Sequence, residues 1–222
     1  MSVAHWTIEL ADYRRQVAEN YARARAGGAG ERPWLGWRAD RDRMIGAHPQ
    51  SPLPEPARSP DWSTPFYPYD PQWRTVARLE PADDPAVIEV SHSSDGTTRF
   101  TEVGRVTFRH DRTAHSLTLF WLDAYAGGLF LPFRDATAGN GTYGGGRYLL
   151  DTAKGADLGT DSAGRLILDF NYAYHPSCAW DHAWSCPLAP PSNGLSIPIE
   201  AGELVPRPTS PASRPSEVRS GT

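Results

Sequence analysis

Apolar and polar residues alternate with a period of two from residue 73 to residue 203, and this alternation limits the possible folds more than any other feature of the chain. A period of two is typical of β-strands with one buried face. Turn-forming pairs such as Asp95-Gly96 and Gly127-Gly128 separate the alternating segments by hairpin lengths. The pattern therefore predicts a mainly β fold, an antiparallel meander that forms a barrel or a sandwich. The predicted strands cover residues 73–79, 86–93, 98–110, 115–123, 128–136, 142–151, 165–171 and 195–203.

The first thirty residues have a different period. Their apolar residues recur at steps of four, three, four and four, which places them on one face of a helix. The pattern predicts an amphipathic N-terminal helix that ends at the glycine pair after residue 26. The apolar face consists of Trp6, Leu10, Tyr13, Val17 and Tyr21.

Residues 31–71 carry nine prolines, which argues against a long helix or a central strand in this segment. Only a short helix over about residues 39–45 is predicted there. The segment is also rich in aromatic residues, so we expect it to be ordered and to wrap over the core. These aromatic residues are Trp34, Trp37, Trp62, Phe66, Tyr67 and Tyr69.

Composition and charge indicate how the chain is divided and which classes of partner are excluded. We predict a helix at 1–30, a single β-rich domain at 31–205 and a disordered Pro/Ser/Arg tail at 206–222. The net charge of −4 argues against a nucleic-acid-binding surface. No segment approaches the roughly 18 consecutive apolar residues of a membrane span, and the N-terminus lacks the apolar run of a signal peptide. We therefore expect a cytoplasmic protein whose partners include neither nucleic acid nor a membrane.

Polar residues occupy the ends of apolar strand faces, where a charged group must be paired or lie at the mouth of the barrel. We expect Asp135, Arg147, Asp169 and Asn171 to converge at one end of the barrel. Arg147 is suited to hold a small anionic molecule, and burial can separate the acid and base roles of the two carboxyl groups. The alternative is an Arg147 ion pair that only ties strands together. The predicted catalytic residues are Asp135, Asp169 and His175, and the predicted ligand-binding residues are Tyr143, Arg147 and Asn171.

The segment 169–187 is the densest in chemically active side chains. Cys178, His182 and Cys186 are spaced four apart, and His175 lies three residues before the first of them. Three interpretations stay open: these four residues bind a metal ion, one thiol is reactive with His175 or His182 as its base, or the two cysteines are packed or bridged by a disulfide. Because the spacing is not that of a known zinc motif, packed or bridged cysteines are favoured over a metal site.

A set of short motifs also occurs in a specific order. They are Phe133-Arg134-Asp135-Ala136-Thr137-Ala138-Gly139, Thr142-Tyr143, Gly146-Arg147-Tyr148-Leu149, Asp169-Phe170-Asn171, Ala173-Tyr174, Cys178-Ala179 and Cys186-Pro187-Leu188. On these motifs the chain resembles the DUF1684 family of uncharacterised bacterial and archaeal proteins over about residues 8–204. The resemblance implies no known activity, cofactor or catalytic residue. His175 stands where the family's Ala-Tyr-Asn-Pro motif has Asn.

Two functional hypotheses follow from these patterns. The first is a small-molecule binding or enzymatic site at the mouth of the barrel, built from the Arg, Asp, Asn and Tyr side chains. The second is a non-catalytic protein-interaction module in which the same residues are structural. The sequence indicates no particular cofactor and no oligomeric state.

Overall fold

Two α-helices precede an all-β region, as the change from a helical to a period-two hydrophobic pattern predicts. A computed structural model describes residues 3–205 of the chain. Helices α1 (Val3–Gly27) and α2 (Glu31–Ala47) come first. Seven strands follow: β1 (Arg74–Pro81), β2 (Val87–Ser91), β3 (Thr97–His110), β4 (Thr113–Leu122), β5 (Leu129–Phe133), β6 (Arg147–Asp151) and β7 (Leu166–Asp169).

The seven strands form one antiparallel sheet that is nearly closed into a barrel. The strand order is β6-β5-β4-β3-β1-β7, and β2 pairs with β3 beyond the end of β1. The two ends of the order approach each other where Tyr148 of β6 exchanges two backbone hydrogen bonds with Tyr174, at 2.8 and 3.1 Å. The predicted mainly β class, with an N-terminal helix, is confirmed.

The core has two parts, one on each face of the sheet. Inside the barrel, alternate residues of the strands pack with Phe170 and Ile199. On the outside of the sheet, Tyr21 of α1 and Trp34 and Trp37 of α2 pack against Phe100, Phe120, Phe130, Tyr148, Tyr172 and Tyr174. Burial of these aromatic side chains attaches the helical pair to the barrel.

Helix α2 differs from the prediction of a short helix over 39–45, because it is 17 residues long. Pro33 is the third residue of α2 and therefore lies in its first turn. The backbone N–H groups of the first turn have no partner within the helix, so proline costs no hydrogen bond there. The next proline is Pro49, beyond the end of the helix.

The predicted strand over residues 195–203 is wrong. Its backbone groups bond to several different partners in turn: Leu195 donates to Arg134, Ile199 donates to the carboxylate of Asp135, and Glu203 donates to Ala173. Pro198 cannot donate to a ladder at all. The predicted strand over 142–151 is shortened for a related reason, since Gly144–Gly146 form a turn and pairing begins only at Arg147. The predicted tail at 206–222 lies outside the described residues.

Candidate functional site

Asp135 and Arg147 face each other at one end of the barrel. Asp135 lies two residues after the end of β5, and Arg147 opens β6 opposite Phe133. The Nη2 atom of Arg147 is 3.2 Å from Oδ1 of Asp135 and donates to the carbonyl of Ile199 at 2.9 Å. Its Nη1 atom donates to the carbonyls of Ala201 and Glu203. The guanidinium therefore binds the chain's own backbone over residues 199–203, and its side chain has no exposed surface.

The carboxylate of Asp135 is likewise engaged in hydrogen bonds within the chain. Its Oδ2 atom accepts hydrogen bonds from the Thr137 hydroxyl and from the backbone N–H of Ile199, both at 2.7 Å. A cleft of about 250 Å³ opens beside it, and Asp135 contributes only part of the wall. The other residues that line the cleft are Arg134, Pro190, Pro191, Gly194 and Leu195.

Asp169 and Asn171 form a second pair, separate from the first in its partners. Oδ1 of Asp169 accepts from the backbone N–H and the side-chain amide of Asn171 at 3.1 and 2.8 Å, while Oδ2 lies 2.9 Å from Nη1 of Arg74. The Asn171 amide also bonds both backbone groups of Asp70. Burial raises the pKa of Asp169, and the hydrogen bonds from Asn171 and Arg74 oppose that rise. The four predicted residues therefore form two separate pairs, Asp135 with Arg147 and Asp169 with Asn171. The cation beside Asp169 is Arg74.

His175 is enclosed by other groups of the chain. Its Nε2 atom accepts the backbone N–H of Tyr143 at 3.1 Å, and the backbone N–H of His175 donates to Oε2 of Glu203 at 2.7 Å. Glu203 is fully buried and paired with Arg41 of α2. Burial lowers the pKa of His175 well below its usual 6.5, and the charges of Arg147 and Arg41 act in the same direction. The imidazole is therefore neutral near pH 7.

Cys178 and Cys186 are not bridged by a disulfide, and a hydrogen bond links their side chains. Cys178 belongs to a single 3₁₀ turn, Ser177–Ala179. Cys186 belongs to a segment that lies beside the end of β2, and its carbonyl accepts the N–H of Ser93, two residues after that strand, at 2.9 Å. The residue exposure of Cys178 is 2%, whereas Cys186 is partly exposed. The pair thus has a buried member and an accessible one.

Several hydroxyl and thiol donors surround the Cys178 sulfur. It lies 3.7 Å from the hydroxyl oxygen of Tyr143. Hydrogen bonds from Cys186, Ser93 and Tyr143 lower the pKa of Cys178 to about 6, against the effect of burial. The hydrogen bond with Cys178 raises the pKa of Cys186. Burial and the hydrogen bond with Cys178 together raise the pKa of Tyr143 to about 12. The pair therefore gives up one proton readily and retains the second.

Neither His175 nor His182 is placed to act as a base for the two cysteines, which was one of the three interpretations of this segment. Within residues 3–205, the contacts of the Cys178 sulfur come from a phenol, a hydroxyl and a thiol, and neither His175 nor His182 is among them. His182 is exposed in the turn before Trp184. No group of three or more His, Cys, Asp or Glu in the described part of the chain could hold a metal ion, so His175, Cys178, His182 and Cys186 do not come together as a ligand set.

Sequence reasoning missed Arg41, Arg74 and Ser93. The register of β1 with β7 places Arg74 opposite Asp169, so a correct pairing of the two predicted strands indicates the ion pair. Arg41 and Ser93 carry no comparable signal, because each meets its partner only through packing of distant segments.

A groove of about 740 Å³ between α1 and α2 is the larger of the two cavities described. It is lined by charged residues that are paired with one another, such as Asp12 with Arg15 and Asp40 with Arg23. Neither cysteine lines the groove or the smaller cleft. No helix within residues 3–205 has both the length and the apolar character needed to cross a membrane.

Comparison with known proteins extends the resemblance. An uncharacterized protein of Haloarcula marismortui, known from a solution NMR structure, is 35% identical to this chain with a TM-score of 0.55, over 75% of this chain and 89% of that one. No curated protein matches the chain. The DUF1684 model, described as a protein of unknown function, matches residues 62–204, which include all seven strands and both cysteines. The chain therefore belongs to the DUF1684 family.

Proposed function

We propose that the Cys178–Cys186 pair is the functional centre of this protein and that it acts through a nucleophilic sulfur on a small electrophilic molecule. One observation carries the proposal: the side chains of the chain's two cysteines are hydrogen-bonded to each other although they belong to different segments, and the Cys178 sulfur lies 3.7 Å from the Tyr143 hydroxyl oxygen. A thiolate is the reactive form of cysteine, and hydrogen-bond donors around a sulfur favour that form.

This proposal keeps the small-molecule hypothesis and moves its centre from Arg147 to sulfur. The Nη1 and Nη2 donors of Arg147 are directed at backbone carbonyls of its own chain and at Asp135, which favours a structural role. Tyr143 belongs to both hypotheses, since its backbone is held by His175 and its hydroxyl faces Cys178. His175 then acts as a positioning residue for the Tyr143 loop.

The test is the pH dependence of alkylation by iodoacetamide, resolved by peptide mass spectrometry. The rate for the wild-type pair should reach half of its maximum near pH 6, as the pKa of Cys178 indicates, whereas ordinary thiols react with a midpoint near pH ~8.5. Tyr143→Phe, which keeps the ring and removes the hydroxyl donor, should raise the midpoint. Cys178→Ser should remove the midpoint near pH 6 and leave Cys186 with a midpoint at or above that of ordinary thiols, because burial still raises the pKa of Cys186.

A wild-type midpoint near that of ordinary thiols would overturn the proposal. The non-catalytic interaction module is then the remaining hypothesis, because the internal pairing of Arg147, Asp169 and Asn171 already fits structural roles for those residues.

A further inference from the structure

We infer that the two sulfurs work as a dithiol–disulfide couple whose substrates are low-molecular-weight organic disulfides, with Cys186 as the attacking sulfur and Cys178 as the resolving sulfur. This inference rests on the proposed function and names its substrate class. It follows from the contact between the sulfurs, their unequal exposure and the donors around Cys178.

Accessibility assigns the two roles. Cys186 is partly exposed, whereas the residue exposure of Cys178 is 2%, so a bulky external disulfide meets Cys186 first. The contact between the sulfurs lets the Cys178 thiolate take up the proton of Cys186 as Cys186 attacks. Tyr143 and Ser93 stabilise the thiolate before the attack and also afterwards, when Cys178 must lose that proton again to act as the resolving sulfur.

The exchange balances in two steps. In the first, Cys186 attacks an external disulfide RS–SR, its proton passes to Cys178, a Cys186–SR bond forms, and one RS⁻ leaves. In the second, Cys178 gives up the proton and attacks the Cys186 sulfur, so that the Cys178–Cys186 bond forms and the second RS⁻ departs. The released proton converts one RS⁻ into RSH. The protein is oxidised by two electrons, and the external disulfide is reduced to two thiol equivalents.

The local structure favours the second step over a lasting mixed disulfide. Cys178 is held on a 3₁₀ turn, and Cys186 is held by backbone hydrogen bonds between its segment and β2, so the resolving sulfur is already beside the attacked one. Such positioning converts a bimolecular reaction into a unimolecular one. The new bond would close the loop 178–186, which carries Trp180 and Trp184.

The experiment treats the reduced full-length protein with glutathione disulfide and follows its intact mass after acid quenching. Wild type should lose two hydrogens and release two equivalents of glutathione. Cys178→Ser should instead accumulate one glutathione on Cys186, because the resolving sulfur is absent. Cys186→Ser should react at least tenfold more slowly than Cys178→Ser. Glutathione in excess should return the oxidised wild type to the dithiol.

Three outcomes would overturn the inference: a mixed disulfide that persists in wild type, faster modification of Cys186→Ser than of Cys178→Ser, or a Cys178–Cys186 bond that glutathione does not reduce. The alkylation profile separates this failure from failure of the proposed function. With a midpoint near pH 6, as expected for the Cys178 thiolate, the sulfur centre stands while the disulfide substrate is rejected. With an ordinary midpoint, the sulfur centre itself is rejected.

Discussion

Buried polar side chains in this protein are matched to backbone groups as much as to each other. Arg147 donates to the carbonyls of Ile199, Ala201 and Glu203, which lie in a segment without strand pairing of its own. Asn193 acts in a similar way, since its amide bonds both backbone groups of Thr118 and the carbonyl of Pro132. These side chains replace the ladder hydrogen bonds that the irregular segment 190–203 lacks.

Replacement of Arg147 by alanine tests this structural role. Arg147→Ala leaves the carboxylate of Asp135 buried without its cation, and loss of one partner of a buried pair costs about 3–5 kcal/mol. We expect a fall of that size in the free energy of unfolding, measured by urea denaturation. Arg165→Ala is the matched control, because its ion pair with Asp161 is half exposed and should contribute at most about 1 kcal/mol. Equal losses in the two variants would contradict the structural role of Arg147.

His175 gives a pH-dependent prediction. Burial lowers the pKa of the folded-state imidazole, whereas the unfolded chain binds a proton below pH ~6.5. The unfolded state therefore holds more protons in acid, and the free energy of unfolding falls as the pH drops below ~6.5 towards the folded-state pKa, by up to about 1.4 kcal/mol per pH unit. His175→Asn removes this contribution, so from pH 7 to pH 5 we expect the variant to lose less stability than wild type, by at most about 2 kcal/mol.

Urea denaturation at pH 7 and pH 5 measures the difference. Asparagine suits the site because its side-chain oxygen can accept the N–H of Tyr143, as Nε2 of His175 does. His182→Asn is the control, because His182 is exposed and the variant should follow the wild-type profile. Parallel pH profiles for wild type and His175→Asn would show that the buried imidazole does not resist protonation.

Among the elements, β3 connects more of the sheet than any other strand. It pairs with β4 along one edge and with β1 and then β2 along the other. The register with β4 shifts between Glu102 and Gly104, which marks a bulge where β1 ends and the pairing partner changes. Gly104 has a φ of 153°, and a Cβ atom there would lie 2.2 Å from the carbonyl oxygen of Glu80. The close approach of the backbones of β1 and β3 at this point requires glycine.

Gly104→Ala should therefore destabilise the sheet by about 1–3 kcal/mol or more, because the new methyl group meets backbone atoms that cannot move independently. Gly164→Ala is a useful comparison. Its φ of 72° imposes strain of about 1–2 kcal/mol, but no atom lies within 4 Å of the added Cβ. Thermal unfolding by circular dichroism should show a larger fall in Tm for Gly104→Ala. A larger fall for Gly164→Ala would mean that close packing at the bulge is unimportant.

The two helices pack closely against the barrel, although the family match begins only at residue 62. Trp34 is buried and donates from its indole N–H to the carbonyl of Asn171 at 2.8 Å. Arg41 of α2 neutralises the fully buried Glu203. Removing the helices would expose aromatic side chains on the sheet and leave a carboxylate buried without a cation.

We therefore expect a chain of residues 62–205 to lose the cooperative unfolding that a chain of residues 3–205 retains. Circular dichroism and urea denaturation measure the difference, and the longer chain controls for loss of the residues after 205. Equal midpoints for the two chains would show that the barrel folds without its helices. The family-matched region would then be an independent unit.

Local patterns in the sequence are enough to predict the class of the fold and the positions of most of its strands. Period-two alternation and turn pairs act over a few residues, so the strands from 73 to 171 and helix α1 follow from local patterns. The family also followed from the order of local motifs such as Asp169-Phe170-Asn171. The length of α2 did not follow, because a count of prolines neglects that Pro33 lies in a first turn.

The choice of partners among the polar groups depends on how distant segments pack together. Sequence reasoning placed Asp135, Arg147, Asp169 and Asn171 at one end of the barrel, but their partners depend on irregular segments that carry no periodic signal. The contact of Cys178 with Cys186 depends on how a turn and the segment along β2 pack together. Local periodicity reports which face of an element is buried, whereas a hydrogen bond depends on the placement of two segments to within about 0.5 Å, which only the packed chain defines.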